Sequence, residues 1–393
     1  YENVPFELPN SWVWCRLEDI AYVASGSTPD KTCFVENGVP YIKMYNLRNQ
    51  KIDFAYHPQY ITEEVHNGKL QRSRTEVGDL IMNIVGPPLG KLAIIPTTLP
   101  QANFNQAAVL IRPYKFKEVL VSYLKVYLEE MSEINSIATR GSAGQVNISL
   151  TQSQNMRIPI PPLNEVRRII EEVSKYDILI DSLKQNITDI QNLIAYTKSK
   201  ILDLAIHGKL VPQDPNDEPA IELLKRINPD FTPCDNGHYT QLPEGWAICK
   251  MKQITSITNG KSQKNVETLN GIYPIYGSGG VIGRANQYLC IAGSTIIGRK
   301  GTINNPIFVE EHFWNVDTAF GLKANDAILD KYLYYFCLSF DFSKLDKSTA
   351  MPSLTKTSIG NVLIPIPPYK EQERIVAKID MVLDTMNEIL RAV

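Results

Sequence analysis

The residues of this chain that could do covalent chemistry do not assemble into a reactive set. Six cysteines are scattered without a C-x-x-C pair, and the five histidines show no metal-ligand spacing. Reduced thiols are expected, with Cys15 and Cys249 packed behind Trp12 and Trp246. Asn305-Pro306-Ile307-Phe308 echoes the N-P-P-Y/F motif of DNA amino-methyltransferases, but it lacks the second proline and an accompanying glycine-rich cofactor strand. Gly277-x-Gly279-x-x-x-Gly283 is not followed by a helical pattern, so it does not read as a dinucleotide site. Gly86 to Lys91 and Gly260-Lys261-Ser262 both miss the spacing of a phosphate loop. Asn147-Ile148-Ser149 and Asn186-Ile187-Thr188 match a glycosylation pattern that has no consequence in the cytoplasm, the expected compartment. The expectation is a chain with no catalytic residues, no cofactor and no metal.

The elements that carry these residues belong to a soluble globular protein. The chain has 393 residues, 44% hydrophobic and 21% charged, enough for two domains. No apolar run approaches the roughly 18 residues that would span a membrane, and no signal peptide is visible. The chain opens on Tyr1, so a preceding segment is expected. A net charge of −2 does not advertise a nucleic-acid binder, so any such surface must be local.

The chain repeats itself. Leu8, Pro9, Trp12, Cys15, Ile20 and Gly26 recur at one constant offset as Leu242, Pro243, Trp246, Cys249, Ile254 and Gly260. Ser149-Leu150-Thr151 and Ile158-Pro159-Ile160-Pro161-Pro162 return as Ser353-Leu354-Thr355 and Ile364-Pro365-Ile366-Pro367-Pro368. Each half begins with a strand-rich region of short apolar runs, among them 79–85 and 294–297, between Gly, Pro and Asn punctuators. Each region also carries one amphipathic helix, predicted over 118–137 and 328–338.

Each half then ends in a heptad seam. Val166, Ile169, Val173, Tyr176, Ile180, Leu183, Ile187, Ile190, Ile194, Thr197, Ile201 and Leu204 alternate at spacings of three and four, the a/d pattern of a coiled coil. Ile375, Ile379, Val382, Met386, Ile389 and Val393 repeat its start, and the second seam stops there. The two helices are expected to pack antiparallel by these faces. Gly208 and three prolines at 212, 215 and 219 predict a helix stop and an extended linker, followed by a short helix over 220–227.

These residues resemble the specificity subunit of a type I restriction-modification enzyme. Four features carry the likeness: the L-P-x-x-W opener at Leu8 and Leu242; the closing I-P-I-P-P-x-x-E-x-x-R-I at Ile158 and Ile364; the segment Ala205-Ile206-His207-Gly208-Lys209-Leu210-Val211-Pro212-Gln213-Asp214-Pro215 with Glu222-Leu223-Leu224-Lys225-Arg226-Ile227; and the Tyr276-Gly277-Ser278-Gly279-Gly280 loop. The family's E-Q after the prolines is present as Glu371-Gln372 but becomes Glu165-Val166 in the first copy. The resemblance implies an α+β fold: two similar mixed α/β target-recognition domains separated by long antiparallel coiled-coil helices, an internal repeat with pseudo-two-fold symmetry. Expected boundaries are 1–162 and 242–368 for the recognition domains, 163–207 and 369–393 for the helices, and 208–241 for the linker. It also implies a non-catalytic, cytoplasmic DNA-binding subunit whose domains each read one half of a bipartite, asymmetric site in double-stranded DNA. The helices would set the unread spacer and dock methyltransferase subunits, two of them, with restriction subunits joining that core. A scaffold of two repeated domains that binds a protein partner is the alternative.

If the chain reads DNA, the readers should be Arg, Lys, Asn, Gln, Ser and Thr on loops. The first domain offers Ser27, Thr28, Lys31, Lys43, Asn46, Arg48, Arg72, Arg74, Lys91, Arg140, Ser142 and Gln145. The second offers Lys261, Ser262, Lys264, Tyr276, Ser278, Arg284, Arg299, Lys300, Lys347 and Ser348. Each is equally at home as a solvated or turn residue. Trp12 and Trp246, common to both halves, are expected in the core, because a shared frame residue does not discriminate between different bases.

Overall fold

In the computed structural model, residues 6–86, 89–99, 101–134, 147–235, 239, 241–346 and 351–392 are described. The chain divides into two compact units, Tyr1–Ser182 and Leu183–Val393.

In the first unit the opener and the closer of the repeat are strand partners. Val13–Arg16 pairs antiparallel with Arg157–Ile160, with Cys15 opposite Ile158. Pro159 cannot donate to a ladder, which suits a two-stranded pair with free edges. Beside this pair lies an antiparallel sheet ordered Ala21–Ser25, Ala108–Pro113, Leu80–Asn83, Leu92–Ile94. Its residues Leu80, Val109 and Ile111 are fully buried against Leu124 of the helix Lys117–Ile134 and against Val166, near the start of the long helix. A second sheet, ordered Asn103–Phe104, Val39–Ile42, Tyr60–Ile61, Phe34–Val35, carries the outer part of the domain, with its first pair parallel.

The second unit repeats this frame in the same register. Ala247–Lys250 pairs antiparallel with Leu363–Ile366, and Cys249 faces Ile364. The four-stranded sheet is Thr255–Asn259, Ala319–Ala324, Ser294–Gly298, Ile307–Val309, and the outer sheet is Gly280–Ala285, Tyr273–Gly277, Trp314–Asn315. The amphipathic helix is Asp330–Ser339. Small pieces recur as well. Ser149 caps Leu150–Gln154, and Thr355 caps Lys356–Gly360, each through its hydroxyl. Tyr123 donates its hydroxyl to the carbonyl of Pro159, and Tyr332 donates to that of Pro365. In both units the helix is thereby tied to the closing strand.

The long helix runs Leu163–Ile206, 44 residues without a break, about 66 Å at the usual rise. Its seam departs from expectation in the middle. Val166 and Ile194 are buried, and near the C-terminal end the buried residues are Leu202 and Ala205, one position on from the half-buried Ile201 and Leu204 of the expected seam, whereas Tyr176 is 60% and Leu183 52% exposed, with Ile180 and Ile187 also in solvent. The second helix, Tyr369–Ala392, has 24 residues and buries Ile375 and Ile379 in the same core as Leu202 and Ala205. There the two run antiparallel. Gln213, just past the long helix, donates to Glu371 at the start of the second. Leu383 and Asn387 share a cavity wall with Tyr196 and Ser199, farther back along the long helix. The short helix Ala220–Ile227 forms as predicted, burying Ala220 and Leu224.

Trp12 and Trp246 are half-buried rather than core residues. The Trp246 ring packs on the edge of its domain core and its indole N–H donates to Glu371 Oε2 at 3.1 Å. Cys249 is fully buried, and desolvation pushes its thiol up to about 12; Cys15, half-buried, is raised to about 11 by the same cause with help from Asp19. These thiols are held in their inert form near neutral pH.

Candidate nucleic-acid interface

In the first domain the predicted residues gather at two places. At one, Arg72 donates to Ser27 Oγ at 3.2 Å. The Tyr41 hydroxyl donates to the Ser27 carbonyl at 2.9 Å, and Thr28 donates to Gln106. Gly26 holds this turn in place, because a Cβ there would sit 2.2 Å from the Asn105 carbonyl oxygen. The turn therefore lies flat on the strand end and offers Ser27, Thr28, Arg72 and Gln106 as one polar patch. Lys31 is exposed beside it.

At the other place the hairpin Leu47–Arg48/Lys51–Ile52 turns through Asn49 and Gln50, both at positive φ, 49° and 54°. A left-handed glutamine is strained. It is held by its own side chain, which accepts from the Leu92 N–H at 2.7 Å. The Arg48 guanidinium stacks over the Tyr56 ring at 4.1 Å, with Asp53 3.8 Å away. Arg48 and Tyr56, with Tyr45, Asn49, Gln50 and Lys91, line a hollow of about 530 Å³. Lys43 lies over the Phe34 ring at 5.7 Å.

Two of the expected readers are used internally. Asn46 is 1% exposed. Its carbonyl accepts from the Lys43 N–H and its amide donates to the Asp53 and Tyr56 carbonyls. With every group committed, it builds the hairpin base and presents nothing outward. Arg74 donates to the His66 carbonyl and to Asn67, which ties it to the helix Glu63–Asn67. Arg140, Ser142 and Gln145 lie outside the described residues, as do Lys347 and Ser348.

In the second domain, Lys261 is pinned by its backbone. Its N–H donates to the Asn315 carbonyl and its carbonyl accepts from the Trp314 indole at 2.9 Å. This throws the side chains of Lys261, Ser262 and Lys264 into solvent at one edge of the outer sheet. Tyr276 and Ser278 lie at the tip of the hairpin in that sheet, and Arg284 lies on its outer strand, donating to the Ile272 carbonyl at 3.2 Å. Tyr276 packs edge-on against Phe313, and burial, then Glu311, raises its phenol above the ordinary tyrosine value. Arg299 and Lys300 form a separate group at the end of the strand Ser294–Gly298. The Arg299 guanidinium lies over Phe320 at 5.9 Å and donates to the Asp317 carbonyl.

The residues that reasoning from charge overlooked are Asn49, Gln50, Tyr45 and Tyr56 in the first domain and Gln106 beside Thr28. A polar pair between two short β-runs was the available signal for Asn49 and Gln50. The tyrosines carried none, since aromatic residues in strand-rich sequence read as core. Among the described residues no group of His, Cys, Asp and Glu is placed to hold a metal, and no helix is long and apolar enough to cross a membrane.

Two copies of one mixed α/β frame, each ending in a long helix and each dressed with a different polar surface, define a duplicated recognition protein. The type I restriction modification DNA specificity domain matches residues 9–192 and again 243–393, and the chain belongs to that family. It is 24% identical to the specificity subunit of the type I restriction enzyme EcoAI of Escherichia coli, over 99% of this chain and 80% of that one. It is 22% identical to the putative type I restriction enzyme MjaX specificity subunit of Methanocaldococcus jannaschii, over 98% and 89%. Among solved structures, a chain of a type I restriction-modification complex aligns with a TM-score of 0.65 at 19% identity, covering 99% of this chain and 94% of its own. The HsdS subunit of Thermoanaerobacter tengcongensis aligns at 0.60 and 18% identity, over 99% and 93%. The chain is thus a type I restriction-modification specificity subunit in family and fold, with a two-domain architecture that fits bipartite DNA recognition.

Proposed function

We propose that the two domains, 1–162 and 242–368, each read one half of a bipartite, asymmetric duplex site and that the chain performs no chemistry of its own. The observation that carries this reading is the pairing of one frame with two surfaces. The strand registers of the opener and closer coincide in the two units, as does the glycine turn at Gly26 and Gly260, while the side chains that follow these glycines differ, Ser27-Thr28 in one and Lys261-Ser262 in the other. A catalytic pair would keep its reactive groups, whereas a pair of readers must differ where bases are met. The contact set is Ser27, Thr28, Lys31, Lys43, Arg48, Arg72 and Lys91, with Arg140, Ser142 and Gln145, on the first domain. On the second it is Lys261, Ser262, Lys264, Tyr276, Ser278, Arg284, Arg299 and Lys300, with Lys347 and Ser348. The helices at 163–207 and 369–393 are the spacer and the docking rods for two methyltransferase subunits, and restriction subunits join through that core. The working compartment is the cytoplasm, where the duplex is.

The test is methylome sequencing of the host with and without this gene. One two-part methylated motif should vanish on deletion, and its persistence would defeat the proposal. Exchanging residues 242–368 for those of a relative should then change one half of the motif and leave the other.

A further inference from the structure

The second domain exposes an apolar edge on its outer sheet that charge-based reasoning passes over. The hairpin Tyr273–Gly277/Gly280–Ala285 closes through Ser278 and Gly279, and Gly280 takes a φ of +128° that favours glycine. Its ladder is irregular. Ile275 pairs with Gly283 and Tyr276 with Val281, so Ile282 is an extra residue on the outer strand. Such a bulge breaks the two-residue alternation of side chains and re-aims them. The result is that consecutive residues, Val281 and Ile282, are 57% and 55% exposed. Ile282 leans toward Gly277, whose Cβ would meet it at 3.7 Å.

The strand of the first domain equivalent to Gly280–Ala285 is Tyr60–Ile61, the antiparallel partner of Val39–Ile42, and it is covered. Val39–Ile42 has a parallel partner in Asn103–Phe104, just as Tyr273–Gly277 has one in Trp314–Asn315. There Tyr41 and Ile61 are fully buried with Val65 of the helix Glu63–Asn67. Among the described residues, no helix does this for Val281 and Ile282.

We infer that this hairpin enters the major groove of the second half-site and that Val281 and Ile282 read the 5-methyl groups of thymine. The inference rests on the DNA-reading function proposed above. The third strand, Trp314–Asn315, pairs with Ile275 and Tyr276, so the part that enters is the tip with the outer strand, two strands about 4.8 Å apart in a groove about 12 Å wide that admits a two-stranded ribbon. The thymine methyl is the one apolar group on a major-groove base edge, and β-branched or small apolar side chains suit it. The charges agree with this pose. Arg284, exposed on the same strand, and Lys264, on the loop preceding it, are set to hold phosphates while the hairpin tip leads. Glu267 sits beside Gly283 and opposes a phosphate at that edge, which leaves Val281, Ile282 and the tip as the side that enters.

The experiment uses the full chain co-expressed with its methyltransferase subunit, selecting from random duplex pools. The selected duplex is then rebuilt with deoxyuridine in place of thymine, which deletes only the methyl. Binding should weaken about four-fold for each thymine read, the fold-change that one buried methyl group supplies. The double variant Val281→Ser, Ile282→Ser removes the apolar methyl groups from this exposed edge, and it should bind the thymine and deoxyuridine duplexes equally. The double variant should bind the deoxyuridine duplex as tightly as wild type does, which shows that the second domain is folded. If wild type does not distinguish thymine from deoxyuridine, or the double variant keeps the full ratio, the inference falls while the DNA-reading function stands. If no duplex is selected at all, both fall.

Discussion

Trp12 and Trp246 occupy the same place in their domains but have different surroundings. Trp246 donates its indole N–H to Glu371, which is 1% exposed and also accepts from the Gln213 amide at 2.8 Å. The indole nitrogen of Trp12 is buried with no acceptor among the described residues, and Glu165, the counterpart of Glu371, is only half-buried. The source of the difference is the linker. Past the long helix, Gly208 turns at φ +66° against Pro243 and Trp246. Arg374 binds Asp217 at 2.7 Å, and the Ala220 N–H donates to the Gly245 carbonyl. One strap thus seals the opener of the second domain onto its closing helix. A repeat in sequence therefore need not be a repeat in energetics, because the same tryptophan and glutamate become a bonded pair, with the glutamate buried, only where a third segment covers them.

The largest effect expected from breaking this contrast is at Glu371. Glu371→Ala strands the Trp246 and Gln213 donors and should cost about 2 kcal/mol, read as faster hydrogen exchange over 242–250 and 363–380. Glu165→Ala should change the matching segments of the first domain by less than about 0.5 kcal/mol, the ordinary cost of a surface change. Equal losses would erase the comparison. A smaller effect concerns pH. Burial raises the Glu371 carboxyl above its usual value of 4.5, against the pull of the Gln213 and Trp246 hydrogen bonds. The folded state therefore holds this proton more tightly than the unfolded state. Stability from this group is greatest below the unfolded value and declines as pH rises through the folded one. Urea unfolding at a series of pH values from 4 upward should show that decline in wild type and a flatter profile in Glu371→Gln. An unchanged slope would remove Glu371 as its source. The smallest effect tests the symmetric part of the frame. Tyr123→Phe and Tyr332→Phe each remove one hydroxyl donor to a proline carbonyl, and each should cost about 1 kcal/mol. A clear inequality would mean that the two frames are less alike than their registers suggest.

Much of the frame was legible in the sequence because its signals are local. The a/d rhythm after Pro162 and Pro368 marks helices whatever they pack against, whereas the match of Ser149 with Ser353 was out of register, since the structure gives Thr355 the capping place of Ser149. The recurrence of opener with closer was also visible, although not its cause, which is that Val13–Arg16 and Arg157–Ile160 pair across the domain. The surface was less legible. Asn46 and Arg48 look alike as candidate readers, and only the arrival of the Asp53 and Tyr56 carbonyls separates the buried builder from the exposed stack. Val281 and Ile282 read as core residues of a strand. Their exposure follows from a bulge and from the lack of a covering helix among the described residues, features that no periodicity encodes.

By itself the sequence determined that there are two like domains, which segments open and close the repeated frame, and that a long helix follows the first. These follow from patterns of two, three and four residues acting through backbone geometry and the hydrophobic effect. Tertiary structure decided which copies of a repeated residue are buried, which stretch of the heptad seam finds a partner, and which apolar side chains stay in water. Burial is a property of the segment that arrives from elsewhere in the chain, so Glu371 and Glu165 carry the same side chain into different chemistry.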